Sequence, residues 1–135
     1  MFRRVIYISR SLIGADPDGI AAIVSSSVRW NAKVDVTGML WADGQSFAQV
    51  IEGDDDAVGQ TMDRIHADGR HTAIDLLVDR SVRSRQFGSW SMRRAGADEA
   101  SAQGTTFMIG FAMGQRTASA KRLYQIVLAS DGHGA

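Results

Sequence analysis

The chain contains no cysteine, so disulfide bonds, thiolate catalysis and cysteine-ligated metal sites are excluded. It carries no net charge, because 15 basic residues balance 15 acidic ones, and this balance argues against nucleic acid or an anionic membrane as a partner. No apolar run reaches the roughly 18 residues that a membrane-spanning helix needs, and the N-terminus enters a strand pattern rather than a signal peptide. We therefore expect a cytoplasmic protein.

Sites for several common chemistries are also missing. His66, His71 and His133 have no histidine or carboxylate partner at metal-ligand spacing, so no metal site is predicted. The sequence has neither a serine nucleophile elbow nor a phosphate-binding loop. At 135 residues the chain fits a single domain that is large enough to bury its own core.

Hydrophobic periodicity predicts a strand, helix, strand, strand, helix, strand order. The predicted elements are a strand at Phe2 to Ser9, a helix after Asp16-Pro17, strands at Gly38 to Trp41 and Gln45 to Ile51, a helix at Ala57 to Ala67, a strand at Ile74 to Val78, and a short fifth strand at Ser89 to Arg93. Asp43-Gly44 favours a tight hairpin turn between the second and third strands. Arg80, Arg83 and Arg85 are assigned to a basic loop.

This order predicts an α+β, ferredoxin-like fold, βαββαβ plus the short fifth strand, with an antiparallel sheet and two helices on one face. Further helices at Asp98 to Met113 and Thr117 to Ala129 are expected to cover the other face, where Ile6, Ile8, Ala48, Val50 and Leu77 need cover. We predict a domain at 1–95, a C-terminal helical extension at 96–130 and a disordered tail at 131–135.

Gln49 stands out because strand alternation places its amide between Phe47 and Ile51 on one face. An unsatisfied buried amide costs roughly 1–3 kcal/mol, so Gln49 requires hydrogen-bonding partners. In the predicted topology Tyr7 lies across from it, and Asn31 and Arg64 approach from the two helices. Polar groups that converge over an apolar floor are typical of a small-molecule pocket.

Five motifs in order resemble the BLUF family of flavin-using blue-light sensors over about Arg4 to Met92. They are VIYIS with Tyr7 and Ser9, WNAKVDVTG with Asn31, SFAQVIEG with Gln49, MDRIHADGRH with Arg64 and Asp68, and FGSWSM with Trp90 and Met92.

The resemblance implies a flavin between the two helices, usually FAD, with FMN or riboflavin as alternatives. It implies that Tyr7 and Gln49 are the photoactive pair, and that Gln49 changes its hydrogen bonds after light-driven electron and proton transfer from Tyr7. The other implied flavin-binding residues are Ser9, Ile23, Trp30, Asn31, Phe47, Arg64 and Asp68. Asn31, Arg64 and Asp68 would support the polar pyrimidine edge.

Trp90 and Met92 are placed on one face of the fifth strand and are implied to relay the signal, with either of them facing Gln49. Two positions depart from the usual family pattern. Trp30 is larger than the usual residue and either stacks on the flavin or competes as an electron donor. Ala48, next to Gln49, is smaller than the usual aliphatic residue and leaves less packing on the opposite face.

The resulting hypothesis is a short stand-alone photoreceptor that is not an enzyme, forms a homo-oligomer and signals to an unidentified separate protein. The fold order also allows a small hydrolase of the acylphosphatase type. A third alternative is a ligand-binding or dimerisation module without photochemistry.

Overall fold

A computed structural model describes residues 1–88 and 90–131 of the chain. The strands are β1 (Phe2–Ser11), β2 (Thr37–Ala42), β3 (Ser46–Gly53), β4 (His71–Val82) and β5 (Arg93–Arg94). The helices are α1 (Pro17–Val34), α2 (Asp55–Ala67), α3 (Glu99–Met113) and α4 (Ala118–Asp131). Residues 132–135, and with them His133 and most of the predicted tail, lie outside the described residues.

The five strands form one sheet in the order β4-β1-β3-β2-β5. The predicted ferredoxin-like α+β fold is confirmed, with β1 and β3 adjacent at the centre. The sheet is mixed rather than wholly antiparallel, because β5 pairs parallel with β2. The chain leaves β4 through a long connection and returns alongside β2 in the same direction, which a hairpin would not allow.

Two apolar clusters sandwich the sheet. One contains Ile6, Trp41 and Val50 with residues of α3 and α4, so the C-terminal helices cover this face as predicted. The other contains Tyr7, Phe47 and residues of α1 and α2. The sheet therefore separates the α1 and α2 side from the C-terminal helices.

Local signals account well for α1 but less well for β4. Asp16 caps α1 by accepting a hydrogen bond from the backbone N–H of Asp18, and Pro17 occupies the first helical position. β4 is much longer than predicted because its polar residues continue to pair with β1, and Arg80 of the predicted loop lies opposite Arg4. Cross-strand pairing extends the strand beyond its apolar core.

The β2–β3 turn sets the register of Gln49. Asp43 occupies its first position and accepts hydrogen bonds from the backbone N–H groups of Gln45 and Ser46. The central residues are Gly44 and Gln45 rather than Asp43 and Gly44, and Gly44 has a φ of +91° that favours glycine. The turn places Leu40 opposite Gln49.

No helix among the described residues is both long enough and apolar enough to span a membrane.

Candidate functional site

Tyr7 and Gln49 are cross-strand partners on the α1 and α2 side of the sheet. Both are buried, with 3% and 5% of their surface exposed. The Tyr7 hydroxyl donates to Gln49 Oε1, and Gln49 Nε2 donates to Met92 Sδ at 3.6 Å. Each end of the amide therefore has a protein partner, although a thioether sulfur is a weak acceptor.

Met92, and not Trp90, reaches Gln49. Met92 belongs to the apolar cluster on the Gln49 side, whereas Trp90 packs against the cluster beneath the C-terminal helices. The prediction that these two residues share a face is therefore wrong. β5 comprises Arg93–Arg94 alone, so residues 90–92 lack the regular strand backbone on which side-chain alternation depends.

Tyr7 sits in an environment that keeps its phenol protonated. Burial raises the pKa of Tyr7 far above its usual range, and the carboxylate of Asp68 raises it further. The ring of His71 lies 6.1 Å away, centroid to centroid. The protonated hydroxyl is the donor in the hydrogen bond to Gln49 Oε1.

An open cleft separates α1 from α2 above Tyr7 and Gln49. It consists of two adjoining pockets that share Ser27, Gln49, Ile65, Asp68 and Arg70 in their linings. The predicted site residues that line it are Tyr7, Ile23, Trp30, Asn31, Phe47, Gln49, Arg64 and Asp68. The structure therefore brings residues from β1, α1, β3 and α2 to one place.

Asn31 ties the cleft to the segment before β5. It is 2% exposed near the end of α1, and its Nδ2 donates to the backbone carbonyl of Ser91 at 2.6 Å. This contact lies one residue from Met92. Asn31 and Gln49 therefore hold neighbouring residues of the same segment.

Trp30 bridges α1 and α2 at the cleft. Its Nε1 donates to Thr61 Oγ1 at 3.0 Å, and the guanidinium carbon of Arg64 lies 4.4 Å from the centre of its ring. One face of the indole is thus occupied by a cation–π contact.

Asp68 pairs with Arg70 and not with Arg64. Arg70 Nε and Nη2 donate to the carboxylate at 2.7–3.1 Å, and Nη2 also donates to Ser26 Oγ at 3.2 Å. These hydrogen bonds lower the pKa of Asp68 below its usual range. Asp68 caps α2 with extended backbone angles, so it does not continue the helical spacing that would bring its side chain beside Arg64.

Arg70 and His71 line the cleft but were absent from the predicted site. His71 Nε2 lies 2.8 Å from the backbone carbonyl of Ile65, which can only accept a hydrogen bond. In a neutral ring Nε2 therefore carries the proton, and Nδ1 accepts a hydrogen bond from Ser9 Oγ at 2.7 Å. Ser9 therefore orients His71 and does not itself line the cleft. In the sequence, both residues belong to the GRH motif that directly follows Asp68. This motif leads into β4, the strand that pairs with β1.

Comparisons with known proteins agree with this arrangement. The family profile described as BLUF, sensors of blue light using FAD, matches residues 2–93. The photoactivated adenylate cyclase subunit beta of Euglena longa is 30% identical over 98 residues, which are 71% of this chain and 11% of that protein. The alpha subunit of Euglena gracilis is 29% identical over the same length, with 71% and 10% coverage. This chain thus spans about a tenth of the length of these relatives.

Solved structures show the same fold. BlrB, a BLUF protein in its dark state, has a TM-score of 0.68 and 25% identity, with 95% of each chain covered. Klebsiella pneumoniae BlrP1 with FMN and cyclic diGMP has a TM-score of 0.64 and 29% identity, covering 70% of this chain and 25% of that one. The match over residues 2–93, together with the cleft, establishes that this chain belongs to the BLUF family of flavin-binding blue-light sensors.

Proposed function

We propose that the cleft between α1 and α2 holds a flavin and that Tyr7 and Gln49 are the photoactive pair. The observation that carries this proposal is the buried hydrogen-bond chain from the Tyr7 hydroxyl through the Gln49 amide to Met92 Sδ. An amide is suited to this place because it has one donor end and one acceptor end, and rotation or tautomerisation exchanges what it offers without a change in charge.

The lining of the cleft fits a flavin. A flavin ring system has broad apolar faces and a pyrimidine edge with carbonyl acceptors and one N–H donor. Ile23, Phe47 and Ile65 supply apolar contact, while Asn31, Arg64 and Arg70 carry donors of the kind that this edge requires. Asp68, held by Arg70, supplies an acceptor. We propose FAD as the ligand, as in the family description, with FMN as the alternative.

The bound flavin would supply a light-excited electron acceptor. With a flavin bound, Tyr7 would give up an electron and, along its hydrogen bond to Gln49 Oε1, the phenolic proton. Once both had returned to Tyr7, Gln49 would keep a rearranged orientation or tautomer. The hydrogen bond from Gln49 Nε2 to Met92 Sδ is then altered, so the change leaves the site through the segment before β5.

The output is proposed to be a change in the surface presented to a separate signalling protein, with no turnover chemistry in this region itself. Two relatives are named as photoactivated adenylate cyclases, which indicates an enzyme as a suitable type of effector. The predicted division at residue 95 places the sensor before α3 and α4, which we propose as the contact surface.

An absorption spectrum tests this function. The purified protein should be yellow, should release FAD or FMN on denaturation as identified by mass spectrometry, and should shift reversibly to longer wavelength under blue light. Tyr7→Phe should bind flavin and show no shift. Tyr124→Phe is the matched control, because Tyr124 packs in the cluster on the other face of the sheet. A normal shift in Tyr7→Phe would refute the mechanism.

A further inference from the structure

We infer that Glu52 is a positioning residue that anchors the chain segment before β5 and so controls how quickly Met92 returns to Gln49 after illumination. The described residues of this segment, 85–88 and 90–92, are called the relay segment below, and Ser89 between them lies outside the described residues. The inference rests on the proposed photochemistry of Tyr7 and Gln49. It assigns a role to a carboxylate on the opposite side of the sheet from the cleft.

Glu52 is a fully buried acid whose carboxylate has three partners. Its side chain is 0% exposed, and Oε2 accepts from Arg4 Nε at 2.7 Å. The backbone N–H of Gln86 donates to both carboxylate oxygens, at 2.8 and 3.0 Å, and that of Phe87 donates to Oε1 at 2.8 Å. Charge-assisted bonds of this kind are about twice as strong as neutral ones, so the attachment is firm.

Two of these three partners, Gln86 and Phe87, belong to the start of the relay segment rather than to the sheet. Phe87 is 1% exposed and makes edge-to-face contacts with Trp41 and Phe107, so its ring is wedged beneath α3. Arg85 adds hydrogen bonds to Thr37 Oγ1 and to the Glu52 carbonyl. The upstream end of the segment is therefore bound to strands β2 and β3.

The downstream end is held by single hydrogen bonds. The backbone N–H of Gly38 donates to the Trp90 carbonyl at 3.1 Å, Asn31 donates to Ser91, and Gln49 donates to Met92. Two of these three contacts come from residues that line the cleft. The segment thus runs between a buried charge at one end and the photoactive glutamine at the other.

Glu52 and Gln49 lie three residues apart on β3, and their side chains point to opposite faces of the sheet. When Gln49 rearranges, the weak contact to Met92 Sδ is lost, while the contacts at Gln86 and Phe87 remain. Glu52 then keeps Met92 close to its dark position and limits how far it must travel to return. Without this anchor the segment has more freedom in the lit state, and the return is slower.

The test compares Glu52→Gln with Asp79→Asn. Glutamine keeps the size of the side chain but cannot accept from Arg4 and from both amides together, because one end of its amide is a donor. Asp79 also pairs with an arginine of β1, Arg3 at 2.7 Å, but makes no contact with the relay segment. It therefore controls for the loss of an interstrand ion pair.

Glu52→Gln is expected to slow dark recovery of the flavin spectrum by roughly threefold or more, as the loss of one charge-assisted bond allows. In flavin-free protein, the amides of Gln86 and Phe87 should exchange with deuterium at least roughly tenfold faster than in the wild type. Asp79→Asn should change neither quantity. A merely structural role for Glu52 would lower thermal stability and leave the recovery rate unchanged.

The outcomes are separable. A wild-type protein that shows no light-induced shift would refute the proposed function, whereas a normal wild type with unchanged recovery in Glu52→Gln would overturn the role of Glu52. If Glu52→Gln does not fold, exchange in wild-type protein decides. The amides of Gln86 and Phe87 should stay protected from exchange in the dark and in the light, while the protection of the Ser91 and Met92 amides should change. Loss of protection at Gln86 and Phe87 in the light would overturn the inference.

Discussion

Replacing Thr105 with valine tests whether α3 is docked on the sheet as the structure describes. Thr105 is 4% exposed on α3, and its Oγ1 accepts from Nε1 of Trp41, which is 0% exposed on β2, at 3.0 Å. Valine is almost the same size and has a similar helix propensity, so packing and helix formation change little. The main effect is that the buried indole N–H loses its acceptor.

The expected cost follows from that one group. Leaving a buried donor unsatisfied costs roughly 1–3 kcal/mol. For a domain of this size each kcal/mol lowers the melting temperature by about 3–5 °C. Thr105→Val should therefore melt about 3–15 °C below the wild type.

Urea unfolding and thermal unfolding of flavin-free protein measure this difference without a contribution from ligand binding. The neighbouring Thr106 is exposed, so Thr106→Val is the matched control and should change stability by less than about 0.5 kcal/mol. The light-induced shift should persist in Thr105→Val, since the substitution lies across the sheet from the cleft. Equal stability of the two valine variants would refute the docking of α3 on Trp41.

Further predictions concern protonation and helix packing. In Tyr124→Phe, which leaves Tyr7 as the single tyrosine, ultraviolet titration should show no tyrosinate at about pH 10, where a free phenol ionises, until the protein unfolds, because burial raises the pKa of Tyr7. The same raised pKa makes the stability of the fold decline as the pH rises above the range in which the unfolded phenol ionises. Ionisation before unfolding would contradict the burial of Tyr7. Gly104→Ala should destabilise by about 1–2 kcal/mol, because its new methyl group would overlap the sulfur of the buried Met39. Gly110→Ala has open space around it and should stabilise by up to about 1 kcal/mol. Hydrogen bonds from Arg70 lower the pKa of Asp68 in the folded protein. The Asp68 carboxylate therefore stabilises the fold at pH values above its pKa in the unfolded chain, and this stabilisation is lost as the pH falls through the folded pKa. The melting-temperature advantage of wild type over Asp68→Asn should therefore shrink between about pH 5 and pH 3, and a constant advantage would contradict that pairing.

Much of the fold was predictable because its signals are local. Asp16 and Pro17 mark the start of α1 through capping geometry that involves only adjacent residues. Alternation along β1 and β3, combined with the strand order, correctly placed Tyr7 opposite Gln49. The length of β4 was missed because its polar residues pair with β1 for reasons of backbone hydrogen bonding, which side-chain periodicity does not record.

Site residues were predicted correctly where they lie on a regular helix or strand. The prediction failed for residues in irregular backbone. Asn31, Arg64 and Gln49 lie on well-formed elements, and all three line the cleft. Trp90 and Met92 lie in an irregular segment, so alternation assigned them wrongly to one face. Asp68 follows the last helical residue of α2, and its partner is an arginine beyond the helix.

The sequence alone therefore determined the family, the strand and helix order, and the buried amide of Gln49 with its need for partners. Tertiary structure decided which partners those are, because hydrogen bonds between distant segments depend on where irregular backbone runs. Met92 rather than Trp90 meets Gln49, and Arg70 rather than Arg64 holds Asp68. Glu52 is the clearest case, since its sequence context is an ordinary strand end, and only the fold brings the amides of Gln86 and Phe87 to its carboxylate.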